Sequence, residues 1–488
     1  MADIVLFYPR TGFDIQKLSV DIPLSILAAA SLAVKDFDVV LIDQRTDPNW
    51  RQTLIREVEA QPLLLGVSSM TGKQISSGLE AARVAREVDS RVKIVWGGVH
   101  PTLLPEQTLE NQFVDIIVRG EGEATLRDLA QALDKKKSLA TVAGIGYKEN
   151  SKIFLTEKRD HLDLNTLPPL PYHLIDMEAY VGSQGRFEDN TTRSLIYISS
   201  RGCPWQCTFC CNPKLSARRW RALDADQLYD QVSGLVQKYN LDAITFHDEE
   251  FLVDKKRSEK VADMIGGKFD WWIQARMDRL LNADIEKLAA GGLMAVQPGI
   301  ESGSDRILKM IKKGETVAHI REANRKLAGT PIVPLYNFMM GFPGETKEEL
   351  DMTVDLALDL IKDNANAEVS GFYVFVPYPG TELFDAAVER NFVPPATLEE
   401  WAQYNRQHLD TPWVQQNRDD IENLIFMAKL VDGKRIIKRA KQALPYAPIP
   451  AGVFDFFTKK VRRKWEQHDY GHAFETRALK FVGQRFMK

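Results

Sequence analysis

All four cysteines of the 488-residue chain fall within one stretch, Ser199-Ser-Arg-Gly-Cys-Pro-Trp-Gln-Cys-Thr-Phe-Cys-Cys-Asn212. Cys203, Cys207 and Cys210 stand as C-x3-C-x2-C, so a single loop wrapped around an inorganic centre brings three thiolates to it. An iron–sulfur cube takes four ligands. Three protein thiolates leave one iron open, and an open coordination position is where a metal does chemistry instead of only holding structure. The loop follows the strand-like run Leu195-Ile-Tyr-Ile198, which presents it at the carboxyl end of a sheet or barrel strand, where α/β proteins bind their ligands. Zinc sites usually space their ligands as two separated pairs. A disulfide between cysteines this close would be strained and out of place in a reducing compartment. Cys211 fits neither the array nor a second one and reads as a buried or spectator thiol.

This spacing, with the aromatic Phe209 before the last cysteine of the array, resembles the signature of the radical S-adenosylmethionine superfamily. The resemblance implies a 4Fe-4S cluster whose fourth iron is chelated by the amino and carboxylate groups of S-adenosylmethionine. One electron then breaks a carbon–sulfur bond and releases a 5'-deoxyadenosyl radical that attacks an inert C–H bond. It also implies an electron donor such as flavodoxin or ferredoxin. The competing class, a non-catalytic iron–sulfur or zinc-binding module, would show no such cleavage.

At about 150 residues per domain, the length suggests roughly three domains. A hydrophobic content of 44% and a charged content of 27% are those of an ordinary soluble protein. The net charge of -4 is small and mixed in sign, so there is no broad electrostatic footprint for nucleic acid. Met1-Ala-Asp-Ile4 carries an acid where a secretion signal would be basic. The charge-free run 327–344 is interrupted by Pro331, Pro334 and Pro343, a poor candidate for a bilayer span. A cytoplasmic location is expected.

Residues 1–140 alternate short β-branched runs (4–8, 38–42, 63–67, 92–96, 115–118) with amphipathic ones (24–34, 52–59, 74–88, 106–111, 124–133). Five such βα units make a doubly wound parallel sheet, Rossmann-like, with its ligand at the carboxyl strand ends. The loops there are Ser68-Ser-Met-Thr71, Gly97-Gly-Val-His-Pro101 and Gly120-Glu-Gly-Glu123. Small residues let a large ligand approach the backbone. Placed ahead of the cysteine array, this resembles the cobalamin-binding domain of many radical S-adenosylmethionine enzymes, which implies contacts from Ser68, Ser69, Gly97 and Gly98 to cobalamin's nucleotide tail. The Asp-x-His-x-x-Gly element that supplies a cobalt-ligating histidine elsewhere is absent after the first strand. His100, followed by Pro101, reads as a residue orienting its turn.

Residues 141–190, with Leu-Pro-Pro-Leu-Pro171, read as a linker. Across 191–393, strands are expected at 195–198, 243–246, 271–274, 295–300, 333–338 and 371–376, with helices such as 225–239, 347–361 and 381–389 between them. At about 31 residues per unit this is a partial, six-unit (β/α)6 barrel. Its polar strand ends form one rim. The resemblance places Asp248, Glu249 and Glu250 near the amino group of S-adenosylmethionine, Glu301 and Ser302 near its ribose, and Gly341 near its adenine, with Phe209 packed on that base. Gln274 and Arg276 belong to the same rim. Residues 394–488 read as helical, and Phe454 to Phe457 beside Lys459, Lys460, Arg462, Arg463 and Lys464 offer a possible peripheral membrane contact or a cover over a hydrophobic substrate.

The expected activity is therefore cobalamin-dependent methylation of an unactivated carbon in a small-molecule or lipid-like substrate. The alternative is a ring-forming or oxidising reaction like that of the anaerobic magnesium-protoporphyrin monomethyl ester cyclase, which Asp248-Glu-Glu250 also suggests. No side chain is assigned a catalytic acid or base role.

Overall fold

A computed structural model describes residues 2–12, 14, 20–182, 192–404, 411–414, 417–431 and 451–471. The first sheet is built from β1 (Ile4–Tyr8), β2 (Val39–Asp43), β3 (Leu64–Ser68), β4 (Ile94–Gly97) and β5 (Ile116–Val118) in the order β2-β1-β3-β4-β5, all parallel. These strands are continuous apolar runs because helices cover both faces. Helices Leu24–Ala33 and Glu123–Asp134 pack one face, and Trp50–Glu59 and Lys73–Val88 pack the other.

The start of the expected linker belongs to this sheet. Strands β6 (Ile145–Glu149) and β7 (Lys152–Leu155) extend it antiparallel beyond β5. A tight turn at Asn150 and Ser151, both at positive φ, joins them. The boundary expected at residue 140 is corrected accordingly: Ile145 and Tyr147 are buried on the sheet, whereas strands that short and mixed carry little periodicity.

The second sheet is the barrel. Its staves are β8 (Ser194–Tyr197), β11 (Ala243–Phe246), β12 (Asp270–Gln274), β13 (Leu293–Gln297) continued by β14 (Gly299–Glu301), β15 (Val333–Met340) and β16 (Glu368–Val374), all parallel. Pro298 divides β13 from β14 because it has no N–H to give. Its carbonyl still accepts from Asn337 N at 3.1 Å, which keeps the stave in line. Between β8 and β11, a two-residue ribbon of β9 (Ser200–Arg201) and β10 (Arg221–Ala222) closes the excursion that carries every cysteine.

The β16 edge is covered by helix Arg418–Val431, which buries Ile421, Leu424 and Ala428. Helix Ala451–Trp465 packs on that helix in turn and sets Trp465 edge-on against Phe372, 5.4 Å between centroids. Covering removes an unpaired strand edge. The side chains of Phe454 and Phe457 lie outside the described residues, while Phe456 is exposed. Among the described residues no helix is long and apolar enough to cross a membrane.

Candidate active site

The cysteine loop is anchored at its root by a buried polar network. Ser199 N–H and Oγ and Ser200 Oγ donate to the Asp248 carboxylate at 2.6, 2.5 and 2.7 Å. Arg257 donates to Ser199 Oγ and to the Leu223 carbonyl, each at 2.7 Å. Gly202 has φ +85, and a Cβ there would stand 2.2 Å from Arg219 O, so the two arms of the loop touch backbone to backbone. Across the barrel mouth, Thr208 N donates to Ile311 O and Thr208 O accepts from Leu383 N, both at 3.0 Å. A loop pinned at this many points holds its thiols in one arrangement.

Burial pushes the Cys203 thiol up to about 11 and the Cys210 thiol up to about 12. Cys207 is raised by burial too, although the cations Lys313 and Arg276 pull against it. Three half-buried thiols that favour the protonated form are unsuited to free nucleophilic work, and a bound cation is what converts such groups to thiolates. Among the described residues no three such donors stand close enough together to hold a single metal ion; it is the chemistry of the donor set, three thiols on one loop with Lys313 and Arg276 beside Cys207, that suits an iron–sulfur centre. Lys313 itself is buried between Glu301, at 2.9 Å, and Glu315, at 3.9 Å.

Of the rim residues expected to face a cofactor, several are committed inside the protein. Asp248 holds the loop root, as above. Glu250 is buried and accepts from Leu252 N at 2.9 Å and Arg276 N at 2.8 Å. Arg276 is buried, donates to Asp278 at 2.9 Å and lies over the Trp205 ring at 4.6 Å. Ser302 is buried against Thr353, 3.2 Å away, and receives Ser304 N at 3.1 Å. These four lie just beyond the ends of β11, β12 and β14, and each has partners within the protein. Only Glu249 of the acidic triplet is exposed, and it lines the cleft. Gln274 ends β12, half-buried beside Gln297.

Glu301 sits at φ +65, a left-handed conformation that costs a non-glycine residue of the order of 1 kcal/mol and gathers at functional sites. Gly341, at φ +75, ends β15, where a Cβ would press on Val414 at 3.0 Å and Val374 at 3.2 Å. Its carbonyl accepts from Trp413 Nε1 at 2.8 Å. Phe209 begins an aromatic series: Phe342 at 6.3 Å, then Phe375 stacked on Phe342 at 5.5 Å, then Trp413 stacked on Phe375 at 6.3 Å. Such a wall suits a flat base. Phe342 adjoins Gly341, which the sequence singled out, but Phe375 and Trp413 had no local signal.

Between the two sheets lies a cavity of about 430 Å³, within the range of ligand sites. Ser68, Gly97, Gly98 and Gly120 line it from the carboxyl ends of β3, β4 and β5, and Ile198, Leu215 and Glu249 line it from the barrel. Gly98 has φ +112, and a Cβ would fall 2.5 Å from Ser69 O, so the turn accepts only glycine. Ser69 is fully buried beneath this turn, where its N–H donates to Gly97 O at 2.8 Å. Its hydroxyl is buried with no hydrogen-bond partner among the described residues, and Ser69 is not part of the cavity lining. His100 is also buried, 2.9 Å from Thr71 Oγ1, and burial lowers its imidazole to about 4. It orients the turn, as its sequence context suggested.

The Gly120–Glu123 turn does more than yield to a ligand. Arg201 donates to Glu123 at 2.6 Å and stands 3.3 Å from Glu121, while Arg221 donates to Glu121 at 2.7 Å and to the Leu162 carbonyl at 2.6 Å. The ribbon at the base of the cysteine loop is thus tied to the first sheet by two arginines. Sequence reasoning missed this latch because its halves lie far apart in the chain. The hint available was a run of five cations and no acid across 201–223.

Residues 197–357 match the model of the radical SAM superfamily, and residues 14–130 match that of the B12 binding domain. The chain is 30% identical over 398 residues to an uncharacterized methyltransferase of Pyrococcus horikoshii, covering 80% of this chain and 84% of that protein. It is 29% identical to the anaerobic magnesium-protoporphyrin IX monomethyl ester cyclase of Cereibacter sphaeroides, over 71% of this chain and 57% of that one. Among solved structures, the cobalamin-dependent S-adenosylmethionine radical enzyme OxsB shares the fold with a TM-score of 0.73 at 19% identity, covering 99% of this chain and 75% of that chain.

Proposed function

The chain belongs to the radical S-adenosylmethionine superfamily, in the branch that carries a cobalamin-binding domain, and from this we propose that it methylates an unactivated carbon of a small-molecule or lipid-like substrate. Its cofactors are a 4Fe-4S cluster, S-adenosylmethionine and cobalamin. When bound, the cluster supplies one electron to split S-adenosylmethionine, the resulting radical removes a hydrogen atom from the substrate, and cobalamin supplies the methyl group. The observation that carries the proposal is the shared cavity: one wall belongs to the cobalamin-type domain and the other to the barrel, beside the cysteine loop.

In this reading Cys203, Cys207 and Cys210 hold the cluster. Phe209 and Phe342 support the adenine, and Glu301 and Gly341 shape the rim around it. Ser68, Gly97 and Gly98 cradle cobalamin, and Glu249 offers its carboxylate to the cleft. Leu24, Ile26, Leu126, Leu215 and Leu223 make the cavity walls largely apolar, which excludes water and favours an apolar substrate. The working units are then residues 1–155, 191–393 and the segment from 394 onward, which covers the β16 edge. Flavodoxin or ferredoxin would supply the electron. Helix Ala451–Trp465 buries Val461 and Trp465 and exposes Phe456, Lys459, Lys460 and Arg463, a stripe suited to peripheral contact with an anionic membrane. We also propose a cytoplasmic location, since an oxygen-sensitive centre needs a reducing compartment.

The test is anaerobic reconstitution with iron, sulfide and hydroxocobalamin, followed by reduction in the presence of methyl-labelled S-adenosylmethionine and an extract of cells lacking the protein. The expected products are 5'-deoxyadenosine and a labelled extract component. Absence of 5'-deoxyadenosine would overturn the enzymatic reading. Formation of 5'-deoxyadenosine with a product lighter by hydrogen and free of label would favour the ring-forming alternative, which the cyclase relative supports.

A further inference from the structure

The loop that holds the cysteines carries five cations between residues 201 and 223: Arg201, Lys214, Arg218, Arg219 and Arg221. Two of them, Arg201 and Arg221, are engaged by Glu121 and Glu123. The other three, Lys214, Arg218 and Arg219, are exposed, and none has an acidic partner within 4 Å among the described residues. In a chain with a net charge of -4, an uncompensated group of three is a local reversal of sign.

These three cations follow the last cysteine on the outgoing arm of the loop, which folds back against the incoming arm. Lys214 N–H donates to the Cys211 carbonyl at 3.0 Å, and Arg219 O stands against Gly202, the residue before Cys203. The segment 212–219 follows directly on Cys211, and its first turn packs on helix Val99–Leu103. Leu215 and Ser216 turn inward to line the cavity, while Lys214, Ala217, Arg218 and Arg219 meet solvent. Ala217 and Arg218 are consecutive residues at φ +50 and +58, a tight turn of the kind Asn150 and Ser151 also make, which sets the Arg218 side chain toward solvent.

We infer that this face, formed by Lys214, Arg218 and Arg219, is the docking surface for a small acidic one-electron carrier protein that reduces the cluster. The inference rests on the radical S-adenosylmethionine reading of the cysteine loop and adds the partner's chemistry and place of contact. A cluster held by Cys203, Cys207 and Cys210 would stand on the chain that runs straight into this segment, so a carrier docked there would stand beside it. Redox encounters bury little area and depend on charge for their rate. The other basic stripe, on helix Ala451–Trp465, packs at the β16 side of the barrel, whereas the cysteine loop rises from β8 at the opposite edge.

The test follows cluster bleaching in the reconstituted holoenzyme by stopped flow, with photoreduced flavodoxin as one reductant and titanium(III) citrate as the other. In the wild type, the flavodoxin rate should fall about tenfold between low salt and about 0.3 M salt. In the triple variant Lys214→Glu, Arg218→Glu, Arg219→Glu, the low-salt flavodoxin rate should drop at least about tenfold. The titanium rate and the iron content should stay as they were. Should charge reversal cost iron, the triple glutamine variant is judged by the same ratio of flavodoxin to titanium rates. Equal ratios in variant and wild type, or a wild-type rate indifferent to salt, would overturn the inference. So would loss of binding to anionic vesicles with the flavodoxin rate intact, which would assign the patch to a membrane. A wild-type cluster that titanium(III) citrate cannot reduce would overturn the enzymatic reading, and the docking surface with it.

Discussion

Glu345 shows how one buried carboxyl shapes the rim. Its Oε2 accepts from Gly341 N at 2.5 Å and from Phe342 N at 3.3 Å, drawing the end of β15 into its turn, while Oε1 is buried with no partner among the described residues. Burial pushes this carboxyl up from 4.5 to about 7, against the two backbone donors. The folded state therefore keeps a proton that the unfolded chain has already released. The associated stability is complete below about pH 4.5 and is lost as pH rises through about 7, amounting to about 3 kcal/mol at 1.36 kcal/mol per unit. We predict that Tm falls between pH 5 and pH 8 and that Glu345→Gln flattens this slope, as scanning calorimetry across that range would show; an unchanged slope would contradict the assignment. Gly341 was named from the family resemblance. Glu345 was not, since acids after a strand commonly cap the next helix and nothing local reveals burial.

The β9–β10 ribbon is four residues long and carries the latch. A two-residue strand has no periodicity to read, and its importance comes from what Arg201 and Arg221 reach. Glu123 is almost wholly buried at this contact, and removing one partner of a buried pair leaves the other charge poorly compensated, at a cost of about 3 kcal/mol. We predict that Glu123→Gln raises amide exchange both in 116–123 and in the cysteine loop 201–223, and lowers labelled product per 5'-deoxyadenosine formed. Exchange confined to 116–123 would show that the latch does not position the loop. The long elements were far easier to anticipate. Strands β1 and β11 lie at the residues their apolar runs mark, because strands covered on both faces must be apolar throughout.

The whole molecule is closed by its third part. Trp401 is buried where all three meet: its Nε1 donates to Gln107 Oε1 at 2.6 Å, its carbonyl accepts from Gly72 N at 3.1 Å, and its ring lies 5.9 Å from His100. Asn111 Nδ2 donates to Glu399 at 2.7 Å beside it. We predict that Trp401→Ala costs about 3–5 kcal/mol of stability and weakens hydroxocobalamin binding by the full-length protein, because the Gly97–His100 turn loses its backing. Thermal melts with a parallel cobalamin titration would test this; a lower Tm with unchanged affinity would reduce Trp401 to packing alone.

What the sequence decided unaided is whatever a dozen contiguous residues can encode: the C-x3-C-x2-C array, the order of βα units, and the glycines whose φ no other residue accepts. Tertiary structure alone decided which side chains of that inventory face the cleft. Asp248, Glu249 and Glu250 look alike in sequence, yet one holds the loop root, one meets the cavity and one anchors β12 through Arg276 N. The latch and the Trp401 seat join residues 78 to 294 positions apart. A charge or a ring acquires its role from the partner that folding brings within a few ångströms, and no local pattern records that approach.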